Sequence, residues 1–285
     1  MDPGIVVEAG YAVPAWSPNG EWIAVGWWGH TRYIPFGIYL IRPDGSDFHR
    51  LPGVDSSRAI IDLSWSPDSQ WLVFAASVPF VRYDIFKIKV DGDSLTQLTN
   101  SGNDYACTWS PTDSLIAYRE SPPSPSGIWL MDKFGNGKRM LVSQSSFPSF
   151  FSEDSLVFVT NINADSGRMA IISARDGSER TVLSWKKGAP YTRYYDPVVS
   201  SVSKEIVLSI DERIWKLKTD GSDLRKLSDD HVDFPWWSPD GEWIVYDKRE
   251  SNPYGGTIWI MDSAGLNARL LLDWSKFFGS DSKEK

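Results

Sequence analysis

The chain repeats one phrase along most of its 285 residues: Trp-Ser-Pro, a turn pair such as Asp-Gly, and then two short apolar segments. The clearest copies begin at Trp16, Trp65, Trp109 and Trp237, and two weaker copies begin at Phe151 and Val199. The spacings between these positions are 49, 44, 42, 48 and 38 residues. A repeat of this length is typical of a unit built from four β-strands.

The two apolar segments of each repeat are too short for stable helices. In the last repeat they are 244–246 and 257–261, and both are rich in residues that favour strands. Apolar residues at consecutive positions indicate strands that are covered on both faces. An Asp-Gly pair such as Asp44-Gly45 follows the second segment, and it suits a tight hairpin because glycine accepts positive φ. Each repeat is therefore predicted to form four antiparallel strands.

Six such repeats predict a single all-β domain over residues 1–285: a six-bladed β-propeller with four antiparallel strands per blade around a central channel. A four-stranded blade cannot bury both faces alone, so the ring must close for the molecule to be stable. The expected blades cover approximately residues 14–51, 62–99, 105–141, 147–183, 195–228 and 234–271. Residues 275–285 are predicted to be a flexible tail, and residues 5–7 a strand beside the final blade.

The repeat resembles that of TolB-type propellers, whose pattern is WSPDG, then IAF, then IYVMDADGSN, then RLT. The match is clearest at 237–241 and 258–262 and weakest in the fourth and fifth repeats, and the family's separate N-terminal domain has no counterpart in this sequence. The resemblance implies a protein-binding role in the cell envelope, because TolB-type propellers bind the peptidoglycan-associated lipoprotein. It also implies a periplasmic or extracellular location.

Composition narrows the classes of partner. The chain has 29 basic and 37 acidic residues, and a net charge of −8 disfavours duplex nucleic acid. No apolar run approaches the roughly 20 residues of a membrane span. Asp2 and Glu8 stand where a signal peptide would be basic and apolar, so no signal peptide is expected, and the single Cys107 cannot form an internal disulfide. We expect a monomer with a protein or peptide partner.

The least repetitive segments mark the candidate binding face. Loops between the second and third strands, and the links between blades, should emerge together at the channel mouth. They carry aromatic side chains, which give large contact areas, and arginines, whose planar forks bind carboxylates. The candidate ligand-binding residues are Trp27, Trp28, His30, Arg32, Tyr33, Arg82, Tyr83, Tyr105, Arg119, Arg193, Tyr194, Tyr195, Asp196, Lys248 and Arg249. The alternative is that these loops only pack against one another.

The repeated tryptophans are interpreted as core residues. Trp16, Trp65, Trp109 and Trp237 occupy one repeat position, which favours wedging between blades over a lectin with one sugar per blade. The Asp-Gly-Ser-Asp turns at 44–47 and 220–223 lack the ligand pattern of an EF-hand loop. No metal and no cofactor are therefore expected.

Catalytic motifs are missing: the sequence has no Gly-x-Ser-x-Gly elbow and no phosphate-binding glycine-rich loop. Its three histidines, at 30, 49 and 231, fall in different repeats. The first hypothesis is a non-enzymatic scaffold, without catalytic residues, that captures a protein segment or small ligand at the channel mouth. The alternative is an oligosaccharide-binding protein, either a lectin or a metal-free polysaccharide lyase with a Tyr194 base and Arg193, Arg119 and Lys248 as electrostatic groups. A third hypothesis is a repeat protein without a ligand.

Overall fold

Six four-stranded antiparallel sheets follow one another along the chain, and the first strands of neighbouring sheets contact one another in a closed ring. The predicted six-bladed β-propeller is thereby confirmed. The structure is a computed structural model that describes residues 11–28, 35–78, 82–122, 125–163, 166–185, 194–229, 231–249, 256–274 and 276. The predicted strand at residues 5–7 and nearly all of the predicted tail lie outside these residues.

Each blade is built from four consecutive strands. Blades 1 to 3 contain β1 (Tyr11–Trp16), β2 (Ile23–Trp28), β3 (Gly37–Ile41), β4 (His49–Arg50); β5 (Ile60–Trp65), β6 (Trp71–Val78), β7 (Arg82–Lys89), β8 (Thr96–Gln97); and β9 (Asp104–Trp109), β10 (Leu115–Glu120), β11 (Gly127–Asp132), β12 (Arg139–Ser143). Blades 4 to 6 contain β13 (Ser146–Phe150), β14 (Ser155–Asn163), β15 (Ser166–Ser173), β16 (Glu179–Trp185); β17 (Tyr194–Val199), β18 (Glu205–Ile210), β19 (Ile214–Lys218), β20 (Arg225–Lys226); and β21 (Val232–Trp237), β22 (Trp243–Lys248), β23 (Thr257–Asp262), β24 (Arg269–Leu272).

The first strand of each blade lines the channel and is an edge strand, so one side of its backbone has no strand partner. Four of these strands carry proline at the same position, Pro14, Pro148, Pro197 and Pro235. Proline is accepted there because an edge strand does not need every backbone N–H for the sheet. Elsewhere the preceding blade supplies a side-chain acceptor: the Trp109 backbone N–H donates to Ser64 Oγ at 3.2 Å.

At one end of the channel, the Trp-Ser-Pro turns repeat one hydrogen-bonding pattern. In blade 6 the Ser238 hydroxyl donates to Asp240 and accepts the Trp243 backbone N–H at 2.9 Å. The corresponding serines of blades 1 to 3 accept the equivalent backbone N–H groups. The repeated tryptophans are buried as predicted, and Trp65 also donates from Nε1 to the Ala15 carbonyl of the neighbouring blade at 2.9 Å.

The ring closes between the last and first blades through side-chain packing. Trp274 lies 4.6 Å from the Trp27 ring and 5.1 Å from the Tyr39 ring, measured between ring centroids. Arg269 also donates from Nη2 to the Pro43 carbonyl at 2.9 Å. Within the described residues, no sheet exchanges a strand with another blade. The aromatic cluster therefore joins the two ends of the described chain.

Two blades depart from the repeat. In blade 4, Phe150 pairs with Leu156, which makes the turn one residue shorter than in blade 6, where Trp237 pairs with Ile244. Phe150, and not Phe151, thus occupies the position of the repeated tryptophan, which corrects the sequence-based alignment. In blade 5 the turn keeps its length, but positive φ moves to Lys204, at 58°.

Candidate functional site

A ring of six side chains surrounds the channel, one from each blade, three residues before the end of each first strand. Its members are Val13, Asp62, Ala106, Phe147, Asp196 and Phe234. The strand register shifts beside this position in blades 2 to 6. Four members, Ala106, Phe147, Asp196 and Phe234, have φ between 49° and 53°. Such bulges re-aim a side chain, and here they accompany a ring that lines the channel.

Two carboxyl groups of this ring come from blades 2 and 5, on opposite sides of the channel. They line a cavity of about 50 Å³. Asp62 Oδ2 accepts the Ala106 backbone N–H at 2.9 Å. Burial raises the pKa of Asp62 to about 7. Burial raises the pKa of Asp196 too, and the Asp62 and Asp233 carboxyls raise it further. The channel therefore brings three acidic side chains within electrostatic reach of one another.

An ion-pair cluster joins blades 5 and 6 beside the ring. Arg249 donates from Nη1 to Glu212 Oε1 at 3.0 Å and from Nη2 to Asp233 Oδ2 at 2.6 Å. His231 Nδ1 lies 2.7 Å from Glu212 Oε2. The hydrogen bond from His231, followed by the charge of Arg249, lowers the pKa of Glu212. Burial raises the pKa of Asp233 even though Arg249 opposes the change.

Aromatic rings extend this cluster around the mouth. The Arg249 guanidinium lies 4.5 Å from the centroid of the Tyr11 ring, which stacks on Trp28 at 5.2 Å. Phe234 meets the Tyr11 ring edge-on at 6.3 Å. The Trp28 side chain also lies close to Tyr83, whose pKa is raised by burial and by the nearby Asp62. One continuous surface thus runs from the Asp62 carboxyl to the Arg249 cluster.

A second, smaller cluster lies on blade 3. The Arg119 guanidinium lies over the Tyr105 ring at 4.9 Å, and the Tyr105 hydroxyl lies 2.9 Å from Ser121 Oγ. Tyr105 and Arg119 are cross-strand partners in β9 and β10. Their contacts fix the arginine on the blade.

The structure brings Trp28, Tyr83 and Arg249 into the continuous surface, with Asp196 in the ring below it. Trp27 is fully buried against Trp274 and is part of the core, because neighbouring strand residues point to opposite faces. The remaining described candidates lie elsewhere: Arg82 is exposed beside Gly102, and Lys248 lies 4.6 Å from the Trp259 ring. His30, Arg32, Tyr33 and Arg193, and the side chains of Tyr194 and Tyr195, lie outside the described residues.

Several residues of this region were not among the sequence-based candidates, including Tyr11, Asp62, Glu212 and Asp247. The sequence contains one indication for Asp62. It occupies the same repeat position as Asp196, three residues before the end of the first strand of its blade. Glu212 lies in a hairpin of blade 5, and no sequence pattern connects it with Arg249 of blade 6. Asp247 lies directly opposite Asp233 in the pairing of β21 and β22.

A larger cavity, of about 330 Å³, opens at the opposite end of the channel. The repeated Trp-Ser-Pro turns line it. Several of their serines already bind the turn backbone, as Ser66 does with Trp71 at 2.9 Å. The mouth therefore offers the more varied chemistry.

Over the described residues, no three His, Cys, Asp or Glu side chains are placed to share a metal ion. In the same part of the chain, no helix combines the length and apolar character needed to cross a bilayer.

No family model and no curated protein matches the sequence, whereas many solved structures share its fold. TolB from Acinetobacter baumannii superposes with a TM-score of 0.72 at 16% identity, covering 95% of this chain and 65% of that one. A putative TolB from Agrobacterium tumefaciens gives a TM-score of 0.64 at 17% identity, with 80% and 84% covered. Oligogalacturonate lyase from Vibrio parahaemolyticus gives 0.58 at 11%, with 89% and 76% covered.

At these identities the similarity shows the six-bladed propeller fold alone. The chain spans 65% of the length of the Acinetobacter TolB. The neighbours include both TolB structures and an enzyme, and propellers host many unrelated activities. Function must therefore be argued from the residues of the mouth.

Proposed function

We propose that this propeller is a non-enzymatic scaffold that captures a segment of a partner protein at the channel mouth. The observation that best supports this role is Trp28, which is 41% exposed yet held by the stacked Tyr11 ring. Arg249 lies on that ring and is itself held by Glu212 and Asp233. Rigid aromatic anchors bind protein segments well because little side-chain entropy is lost on binding.

The size of the channel cavity favours a segment over a small molecule. Sites that enclose drug-sized ligands usually measure about 300–1,000 Å³. The cavity inside the ring is about 50 Å³, which fits the tip of one side chain. A segment would therefore lie across the aromatic surface and place one side chain in the channel. The resemblance to TolB-type propellers makes the periplasm the proposed location and a monomer the proposed form.

The carbohydrate alternative has less support from the same geometry. An acidic oligosaccharide would approach Asp62, Asp196 and Asp233 and be repelled by their ionised forms. Two of the basic groups expected to assist a lyase already lie on aromatic rings, Arg119 on Tyr105 and Lys248 on Trp259. The similarity to oligogalacturonate lyase is one of fold.

The test is selection of random peptides displayed on phage against the immobilised full chain. Selected peptides should bind wild type and lose about tenfold or more in affinity for Trp28→Ala. Phe134→Ala is the matched control, because Phe134 is 67% exposed in the turn after β11, away from the channel. Peptides that bind Trp28→Ala as well as wild type, or a selection that enriches none, would overturn the proposal.

A further inference from the structure

We propose that the captured segment inserts a positively charged side chain, lysine or arginine, between Asp62 and Asp196. This inference rests on the proposed function, because it names the chemistry of the segment that the mouth takes. It has four independent supports: the placement of two carboxyl groups, the pairing of the local cations, a buried acidic group beside them, and the aromatic wall.

The two carboxyl groups occupy equivalent ring positions on opposite blades. Asp62 accepts the Ala106 backbone N–H with Oδ2 at 2.9 Å, and its Oδ1 takes no part in that bond. The groups that shift the pKa of Asp196 are its buried surroundings and the carboxyls of Asp62 and Asp233, all of which raise it. A cation between Asp62 and Asp196 would relieve this repulsion.

Two described arginines near the mouth, Arg249 and Arg119, are held by other groups. Arg249 holds Glu212 and Asp233, with donor–acceptor distances of 3.0 and 2.6 Å. Arg119 lies over the Tyr105 ring. Neither of these two arginines is bonded to Asp62 or Asp196.

A further carboxyl group lies behind Asp233, inside the protein. Asp247 is fully buried and lies opposite Asp233 in the strand pairing, where like charges destabilise a sheet. No hydrogen bond of ordinary geometry reaches either of its oxygens from the described residues, although the backbone of Ala12 is close enough to lower its pKa. Burial and the Asp233 carboxyl nevertheless raise that pKa. A cation bound nearby would favour the ionised form of this group, whereas an anion would oppose it.

The aromatic wall suits an alkyl cation. Tyr83 lies near both Asp62 and Trp28, while Phe147 and Phe234 line the cavity. Aromatic faces attract ammonium and guanidinium groups, and carboxylates fix their position. The chain already shows this combination in Arg249, which lies over Tyr11 while it donates to Asp233.

The experiment uses the phage-selected peptides as probes, with affinities measured by calorimetry on the full chain. Replacing one Lys or Arg of a selected peptide by Gln should weaken binding by about tenfold or more. The double variant Asp62→Asn, Asp196→Asn should weaken the parent peptide by a similar factor and have little effect on the Gln peptide. Asparagine keeps an acceptor for the Ala106 N–H, and thermal unfolding checks that the variant is folded.

The matched control is Asp93→Asn with Asp223→Asn, which makes the same change in net charge at exposed outer turns. Equal loss of binding in this control would show unspecific charge attraction and overturn the inference. Selected peptides without a basic residue would also overturn it. So would basic peptides whose affinity is unchanged by the Asp62 and Asp196 substitutions. If the selected peptides in these cases still lose affinity for Trp28→Ala, only the inference about the charged side chain fails. The proposed capture function is then still supported. If no peptide is enriched, both proposals fail together.

Discussion

The two ends of the channel-lining strands differ in how regularly their residues repeat from blade to blade. At the turn end, the same Trp and Ser recur in four blades, and each serine accepts the same backbone N–H. At the mouth end, the ring position varies between aliphatic, acidic and aromatic residues, namely Val13, Ala106, Asp62, Asp196, Phe147 and Phe234. The turn end therefore repeats the same residues and hydrogen bonds in several blades, whereas the mouth end does not.

Under the proposed function, the turn end of the strands serves stability and the mouth end serves recognition. A Trp wedged between blades solves the same packing problem in four blades, and Phe150 and Val199 take its position in the other two. A ligand bound across the mouth touches each blade differently, so no single residue type suits all six positions. Four changes test this division, in order of expected effect.

The largest effect is expected for Trp65→Ala at the turn end. Trp65 is buried and donates to the Ala15 carbonyl, so truncation leaves a cavity and an unpaired acceptor. The free energy of unfolding should fall by about 3–5 kcal/mol, measured by urea denaturation. Trp65→Phe should lose less, because it keeps most of the ring volume. Loss of peptide affinity in the fraction that remains folded would contradict the division between the two ends.

Arg249→Met at the mouth should destabilise the fold by about 2 kcal/mol near pH 8, because it leaves Asp233 buried and unpaired. The loss should shrink near pH 4. Burial raises the pKa of Asp233, so this carboxyl takes up a proton more readily as the pH falls, and its neutral form needs no cation. Glu212, whose pKa is lowered by His231 and Arg249, acts in the same direction, since its stabilising charge disappears as the pH falls. Urea midpoints at the two pH values provide the measurement; an equal loss at both would count against this assignment.

Asp62→Asn should stabilise the protein near pH 8 by on the order of 1–2 kcal/mol, and less near pH 4. The folded pKa of about 7 is above that of a free carboxyl, so the contribution of Asp62 is favourable at low pH and is lost as the pH rises through 7. The titratable groups that face Asp62 are those of Asp196, Asp233 and Tyr83, and they interact with it electrostatically. A destabilised variant at pH 8 would mean that the Ala106 hydrogen bond dominates.

The smallest effect is expected for Lys204→Gly in the irregular turn of blade 5. Lys204 has a φ of 58°, a region that glycine enters without a Cβ clash. The substitution should raise the free energy of unfolding by about 0.5–1 kcal/mol. Gly241→Ala in the regular turn of blade 6, where φ is 74°, should lower it instead. Differential scanning calorimetry of the two variants compares the turns directly.

The number of blades, their order and the burial of the repeated tryptophans could be predicted from the sequence. Each depends on local patterns, such as the apolar runs at 244–246 and 257–261 and the Asp-Gly hairpin at 220–221. These patterns act within one blade. The single error of alignment, Phe151 in place of Phe150, arose where the turn of blade 4 is one residue shorter and the repeat offers no marker.

The mouth depended on the tertiary structure. Trp27 and Trp28 are neighbours in sequence, yet one is in the closing core and the other stacks at the surface, because adjacent strand residues point to opposite faces. Arg249 finds Glu212 and Tyr11 on two other blades, at sequence distances that no local pattern spans. The sequence by itself determined the blades, since each is stabilised by neighbours along the chain. Closure of the ring decided which charges meet, because only then do residues of separate blades share one low-dielectric channel.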